Sequence, residues 1–419
     1  MVDWKRNLTF LWIAQFLSLM GFSFALPFVP FYFQELGVTG TGALRVWTGL
    51  FAAASGIPLA IAAPIWGSLA DRYGRRPMSL RASLAGAVVL AGMALARTPG
   101  MLLVFRVLQG VFTGTITANL ALVVSNTPEK RIGLAVGMMN SAVFAGDTLA
   151  PLFGGLCADR FGYRLSFAIS ALSLLASFLV TLLFVREEFQ RPPASVPGSA
   201  LEPRALRWAS RRPPARGVQP GLLAGLRAAV APFLPVVGLI ALGGFARYLA
   251  TPLYPLLVQE IALPSLGLAT QTGLVNAAAG VAVVLAGILF GRLADRGAFS
   301  RLGTASILAA GVLTAALAAA RSIGVLIPLR MSADFFSGGA DNLLNVLLAR
   351  RADSGRRGLA FGLAGSVRSA AWALGGLTGG LLSAAVGFWA VFLMGGAAFL
   401  AGAWFFGRLT TGSRAAPHP

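Results

Sequence analysis

The chain has 419 residues, 57% of them hydrophobic and only 11% charged, with 51 glycines and a formal net charge of +20. Soluble domains carry about 25% charged residues, so the composition excludes an ordinary soluble globule and points to an all-α, polytopic membrane protein. Such a positive charge would suggest nucleic acid in a soluble chain; here it follows membrane topology instead.

Apolar runs of roughly 20 residues, each able to cross about 30 Å of hydrocarbon, recur throughout. Twelve transmembrane helices are predicted, over residues 8–33, 45–70, 82–96, 101–125, 134–158, 165–185, 229–259, 269–291, 302–320, 324–349, 359–385 and 389–407. The first run is too long for a signal peptide and has no small-residue cleavage site, so no cleavable leader is expected. With the N-terminus inside, about 25 of the 34 Lys and Arg residues fall in cytoplasmic segments, about 5 outside and about 4 in the membrane. That is the positive-inside bias that sets orientation.

In chain order, span one carries Phe22, Phe24, Phe28, Phe31 and Tyr32, which would either line an apolar pocket or face core and lipid. Asp71, Arg72, Arg75 and Arg76, framed by Gly67 and Gly74 and followed by Arg81, fall in the loop between spans two and three. On charge alone they are topology anchors. Span four places Arg106, Gln109, Thr113 and Thr117 on one stripe, and span five holds Asp147 one turn before Pro151. Residues 186–228, rich in Pro and Arg, cannot bury enough apolar surface to fold and read as a cytoplasmic linker. Span seven holds Arg247, with Pro252 and Pro255 placed to break the helix, and span eleven holds Arg368. In span ten, Arg330, Asp334, Ser337, Asp341 and Asn345 share a stripe about 80° wide at 100° per residue.

The two halves repeat. Gly67 to Arg72 recurs as Gly291 to Arg296, and Arg106 as Arg330, each 224 positions later; Gln34-Glu35 recurs as Gln259-Glu260, 225 later. Glu129 and Arg131-x-Gly133 match Asp353 and Arg356-x-Gly358, and Gly154-Gly155 match Gly379-Gly380. Two parallel six-helix repeats follow, residues 1–185 and 229–419, related about an axis along the membrane normal.

These residues carry a family resemblance. Gly67-x-Leu69-Ala70-Asp71-Arg72-x-Gly74-Arg75-Arg76 resembles the loop 2–3 signature of the major facilitator superfamily, and Arg106-x-x-Gln109-Gly110 its second motif. Gly146-x-x-x-Ala150-Pro151-x-x-Gly154-Gly155 resembles the antiporter motif of its drug:proton exporters, with Ala150 where the family usually has Gly. The run Asp3 to Gly40 further resembles MdtG-type multidrug exporters. The resemblance implies the major facilitator fold in a bacterial inner (cytoplasmic) membrane, with both termini cytoplasmic. It also implies a cytoplasmic gate built from Gly67, Asp71, Arg72, Gly74, Arg75 and Arg76. Gly67 would permit close helix approach, and Gly74 would allow the loop to reverse. The second copy lacks the later Gly-Arg-Arg, so its gate is expected to be weaker.

Ionisable groups at bilayer depth mark function. Arg330 and Asp334, four apart, can pair; Asp341 lies about 16 Å further along and needs another partner or a proton. A carboxyl held at the depth of Asp147 can exchange a proton near neutrality, or Asp147 pairs with Arg106. Proton coupling is accordingly expected at Asp147, Asp341, Asp334 and Arg106, and a substrate cavity at Gln109, Arg247, Arg330, Asn345 and Arg368. The expected function is export of amphipathic drugs or similar small molecules by proton antiport. The alternative is a carrier for an organic anion, bound by Arg247 and Arg368. No Gly-x-x-x-x-Gly-Lys-[Ser/Thr] loop is present, so an ion gradient supplies the energy. Cys157 is the single cysteine and His418 the single histidine, which leaves an Asp147–Asp341 pair as the one route to an intramembrane enzyme. No enzyme, cofactor or metal is expected. The expected partners are a small-molecule substrate, protons and the lipid bilayer, with no nucleic acid and a monomeric chain.

Overall fold

In the computed structural model, residues 3–128, 131–187, 230–294, 299–352 and 357–411 are described, and they contain helices and turns but no strand. Lipid offers no partner to a free backbone N–H or C=O, so an apolar run of this length becomes helix. The helices of the first half are α1 (Trp4–Ala25), α2 (Val29–Glu35), α3 (Thr41–Tyr73), α4 (Arg75–Ala94), α5 (Pro99–Phe112), α6 (Thr115–Asn126) and α7 (Ile132–Phe184). Those of the second half are α8 (Leu234–Ala250), α9 (Tyr254–Glu260), α10 (Leu268–Ala294), α11 (Phe299–Ala316), α12 (Ile323–Arg351), α13 (Arg357–Val386) and α14 (Phe388–Thr411).

Ten of the helical segments are long and apolar enough to cross a membrane. Two features reconcile ten with the twelve predicted spans. The 53 residues of α7 would reach about 80 Å as one rod, and its backbone leaves helical geometry at Gly162, where φ is 82°; spans five and six meet there. α12 carries Arg330, Asp334 and Asp341 and falls outside the ten for that reason. Spans one and seven each break into a helix, a 3-10 turn and a second helix, at Leu26–Phe28 and Thr251–Leu253. Pro27 and Pro252, 225 positions apart, sit in the two breaks, and Pro30 and Pro255 follow in register. Span four also breaks, against expectation: Thr113 is extended and Gly114 has φ 125°. The stripe drawn through Arg106, Gln109, Thr113 and Thr117 therefore belongs to two helices.

The turn between α3 and α4 differs from the predicted loop. Gly74 alone, at φ 101°, reverses the chain, so Arg72 ends α3, Arg75 and Arg76 begin α4, and Arg81 lies inside α4. Glu187 replaces the missing loop by accepting hydrogen bonds from the backbone N–H of Arg75 and Arg76, at 3.0 and 2.8 Å. A carboxylate on the orphan N–H groups of a helix start is a favourable cap.

The halves meet along two seams, α3 with α13 and α7 with α10. Both are built on small residues: Gly49 lies against Gly380 and Gly56 against Ala373 on the first, Gly155 against Ala269 and Gly273 against Pro151 on the second. These contacts gather at the end that carries Gln34, Arg45 and Asp159. At the opposite end, from which the linker leaves, a Cβ placed on Gly67, Gly133, Gly137, Gly291, Gly362 or Gly365 would meet nothing within 4 Å. These glycines make no such close contact between the halves. Gly67 therefore makes no close helix approach in this state, contrary to the expectation for it.

Candidate functional site

The second half brings its interior charges into one network. Arg247 on α8 reaches across to α12, with Nε 3.5 Å from Asp334 Oδ1 and Nη1 3.3 Å from Asp341 Oδ2. Its Nη2 also donates to Ser337 Oγ at 2.8 Å. Asp334 has a second cation in Arg330, 3.4 Å away and one turn earlier, as its spacing requires. Arg330 donates to Asn276 at 2.9 Å and its guanidinium lies 3.6 Å over the Tyr254 ring. Asp341, expected to need either a partner or a proton, has its partner in Arg247. Arg368 donates to Asn345 at 3.3 Å. Of the residues predicted to form a substrate cavity, Arg247 and Arg330 thus share Asp334, Asn345 and Arg368 form a separate pair, and Gln109 stands apart on α5.

The first half is arranged differently. Arg106 is buried, donates to Gln109 Oε1 at 2.6 Å and to the Phe51 carbonyl at 3.4 Å, and lies over the Phe51 ring. Asp147 does not pair with it. The Asp147 carboxylate accepts from Ser23 Oγ at 2.5 Å, and among the described residues it has no ion pair. The Asp147 side chain is exposed on the surface of α7 and is not packed into its core. On the second half, the Tyr248 ring stacks on Trp372 at 4.9 Å. The span-one aromatics Phe24, Phe28, Phe31 and Tyr32 are core residues, and Tyr32 donates to the Met93 and Ala96 carbonyls.

The architecture and these interior charges have a family context. The family model described as Major Facilitator Superfamily matches residues 11–302 and 236–418. The chain belongs to the major facilitator superfamily. It is 34% identical over 397 residues to the multidrug resistance protein MdtG of Citrobacter koseri, covering 93% of this chain and 91% of that protein. To MdtG of Salmonella arizonae it is 34% identical over 399 residues, covering 93% and 92%. Among solved structures, an auto-inhibited POT family peptide transporter shares the fold at a TM-score of 0.77 and 16% identity, over 99% of this chain and 98% of that one. The protein is a multi-pass membrane transporter of the superfamily, set in a lipid bilayer and moving small molecules; it is not an enzyme.

Within this superfamily member, the antiporter-like motif does two packing tasks. Gly146 and Gly154, with the fully buried Ala150 between them, turn one face of α7 onto α1, where a Cβ on Gly154 would collide with the Phe24 carbonyl. Pro151 and Gly155 turn the other face onto α10 of the second half. Ala150 keeps its methyl fully buried on the face turned to α1, so the departure from Gly is accommodated. Among the described residues the gate-like arginines contact only their own half: Arg75 donates to the Ala121 carbonyl and Arg76 to the Leu182 carbonyl, both at 2.8 Å. Arg72 lies over the Tyr73 ring. The side chain of Asp71, the linker from 188 to 229, and Glu129, Asp295, Arg296, Asp353 and Arg356 lie outside the described residues.

Sequence reasoning missed Glu187, Asp159 and the Arg45–Glu260 ion pair (2.7 Å). The repeat signalled one cross-half contact, since the equivalent residues Gln34 and Gln259 hydrogen-bond to each other at 2.9 Å.

Proposed function

We propose that this transporter exports amphipathic small molecules across the bacterial cytoplasmic membrane in exchange for protons, as a monomer whose two halves rock to alternate access. The end from which the linker leaves is cytoplasmic, by the distribution of Lys and Arg, so the conformation described is inward-facing. Cargo binds between the halves near the midplane, against the Tyr248–Trp372 stack.

The observation that carries the reading is the solitary state of Asp147. The other interior carboxylates, Asp334 and Asp341, are each paired with arginine, whereas the exposed Asp147 has Ser23 as its partner. A carboxyl in that position exchanges its proton with whichever side the transporter faces. Gly67, Asp71, Arg72, Gly74, Arg75 and Arg76 form the cytoplasmic gate, open in this state. The hydrogen bonds of Arg75 and Arg76 to α6 and α7 brace the first half as a unit that can swing.

The test is dye movement in proteoliposomes under an imposed pH gradient. Gradient-driven movement is expected in the parent, lost in Asp147→Asn and partly kept in Asp341→Asn. Movement indifferent to the gradient in all three proteins would refute proton coupling. One observation favours the organic-anion reading: Arg368 has Asn345 as its hydrogen-bond partner and, among the described residues, no carboxylate. Counterflow driven by an unlabelled organic anion, lost in Arg368→Gln, would establish that reading instead.

A further inference from the structure

The closed end is held by a contact of unusual form. Asp159, on α7 of the first half, accepts hydrogen bonds from the backbone N–H of Ala269 at 3.1 Å and Thr270 at 2.7 Å, and from the Thr270 hydroxyl at 2.6 Å. Ala269 and Thr270 belong to the first turn of α10, in the second half. A helix start leaves its first N–H groups without partners, and a side-chain oxygen that satisfies them is a cap. Here the cap comes from the other half of the molecule. Two further details fit the seat to the carboxylate. A Cβ on Gly267 would overlap the Asp159 carboxyl group, so glycine keeps that space clear. The buried Gln271 pins the preceding loop, donating to the carbonyls of Leu263 and Leu266 at 2.9 and 2.7 Å and accepting from Leu263 N–H at 2.9 Å.

The repeat shows that this device is confined to one seam. Thr270 corresponds to Arg45 and Asp159 to Ala384, each pair 225 positions apart. Ala384 has no side-chain acceptor. On that seam the polarity is reversed: Arg45 Nη1 donates to the Ser383 carbonyl at 2.7 Å, its guanidinium lies 4.1 Å over Phe388, and Nη2 meets the exposed Glu260. A flexible side chain bonding a carbonyl can follow a small displacement. A short carboxylate seated on two backbone N–H groups cannot.

We infer that Asp159 is the positioning residue that latches the outer end shut. It caps, across the halves, the helix that must move away for cargo to leave. Opening transfers the N–H groups of Ala269 and Thr270 from carboxylate to water, so the latch sets the balance between inward- and outward-facing states without touching cargo. The inference rests on alternating access and not on proton antiport.

The test uses the full chain in lipid nanodiscs, without cargo or gradient. Cys157 is replaced by Ser, and spin labels are placed at Phe161→Cys and Leu266→Cys, both exposed positions flanking the latch. Asp159→Ala is expected to raise the ratio of long to short label separations about ten-fold, the scale of losing a helix cap. Asn is as good a cap as Asp, so Asp159→Asn should return most of the population to the short separation. A merely structural role would not produce this ordering. Gly267→Ala, which retains Asp159 but pushes its carboxylate off the helix, should reproduce the shift should the first variant fail to fold. Superimposable distributions in the parent, Asp159→Ala and Gly267→Ala would overturn the latch, as would equal opening in the Ala and Asn variants. Loss of proton coupling in the dye assay would leave these distances unaffected.

Discussion

Replacing Arg247 by Gln removes the cation shared by Asp334 and Asp341, and the two acids should respond unequally. At 3.3 Å from Asp341, a unit charge contributes about 5 kcal/mol of attraction at an effective dielectric of about 20. Desolvation offsets much of this, and the Asp341 side chain is 32% exposed, so a net loss of roughly 2 kcal/mol is expected. Asp334 keeps Arg330 at 3.4 Å; Asp341 is left with no ion pair. Adding Asp341→Asn to Arg247→Gln should therefore recover much of the loss, by about 1 kcal/mol or more, whereas adding Asp334→Asn should not. The assay is the rate of thermal inactivation in detergent at one temperature, because a membrane protein of this size unfolds irreversibly and its stability is a rate. Equal stability of Arg247→Gln and the parent would refute the reasoning. So would equal rescue by the two Asn substitutions.

Three further outcomes follow from the same geometry. Gly380→Val places methyl groups against Gly49 and the Arg45 carbonyl, so the α3–α13 seam should fail to close and labels on the outer loops should move apart. Glu187→Gln weakens the cap on α4 and is expected to lower stability by about 1 kcal/mol, read as faster inactivation with dye movement otherwise retained. Asp147→Asn should leave cargo binding in detergent detectable while abolishing its dependence on the pH gradient; unchanged gradient dependence would remove Asp147 from the proton path.

The spans were legible because lipid leaves the backbone no choice: each apolar run of sufficient length is a helix where it was expected. The proline break in span seven was also read, from Pro252 and Pro255, whereas its counterpart at Pro27 in span one was not, although a residue without an N–H interrupts a helix there too. The break at Thr113–Gly114 escaped because a stripe drawn at 100° per residue assumes an unbroken helix, and one glycine between threonines gives little notice of a stop. Arg330 and Asp334 announced their pairing by spacing. Asp341 could not, because its partner Arg247 is 94 residues upstream and its approach depends on how α8 packs on α12. Gly67 was assigned to a close helix contact that the structure does not show, since a Cβ there would meet nothing within 4 Å. Glu187 was hidden for a different reason: it lies at the edge of the linker, where composition suggested only a tether.

The charge on α12 also bears on how the chain is made. A helix carrying Arg330, Asp334 and Asp341 is a poor candidate to leave the translocon for lipid by itself, since each such group near the centre of a span costs about 2.5–3.5 kcal/mol on insertion scales. The pairing of Arg330 with Asp334 four residues later lowers that cost within the helix. For Asp341 the relief comes from Arg247, on a helix synthesised earlier and already in the bilayer when α12 emerges. α8 thus supplies the cation that α12 lacks for its third charge. The order of synthesis makes the first charge wait for the second.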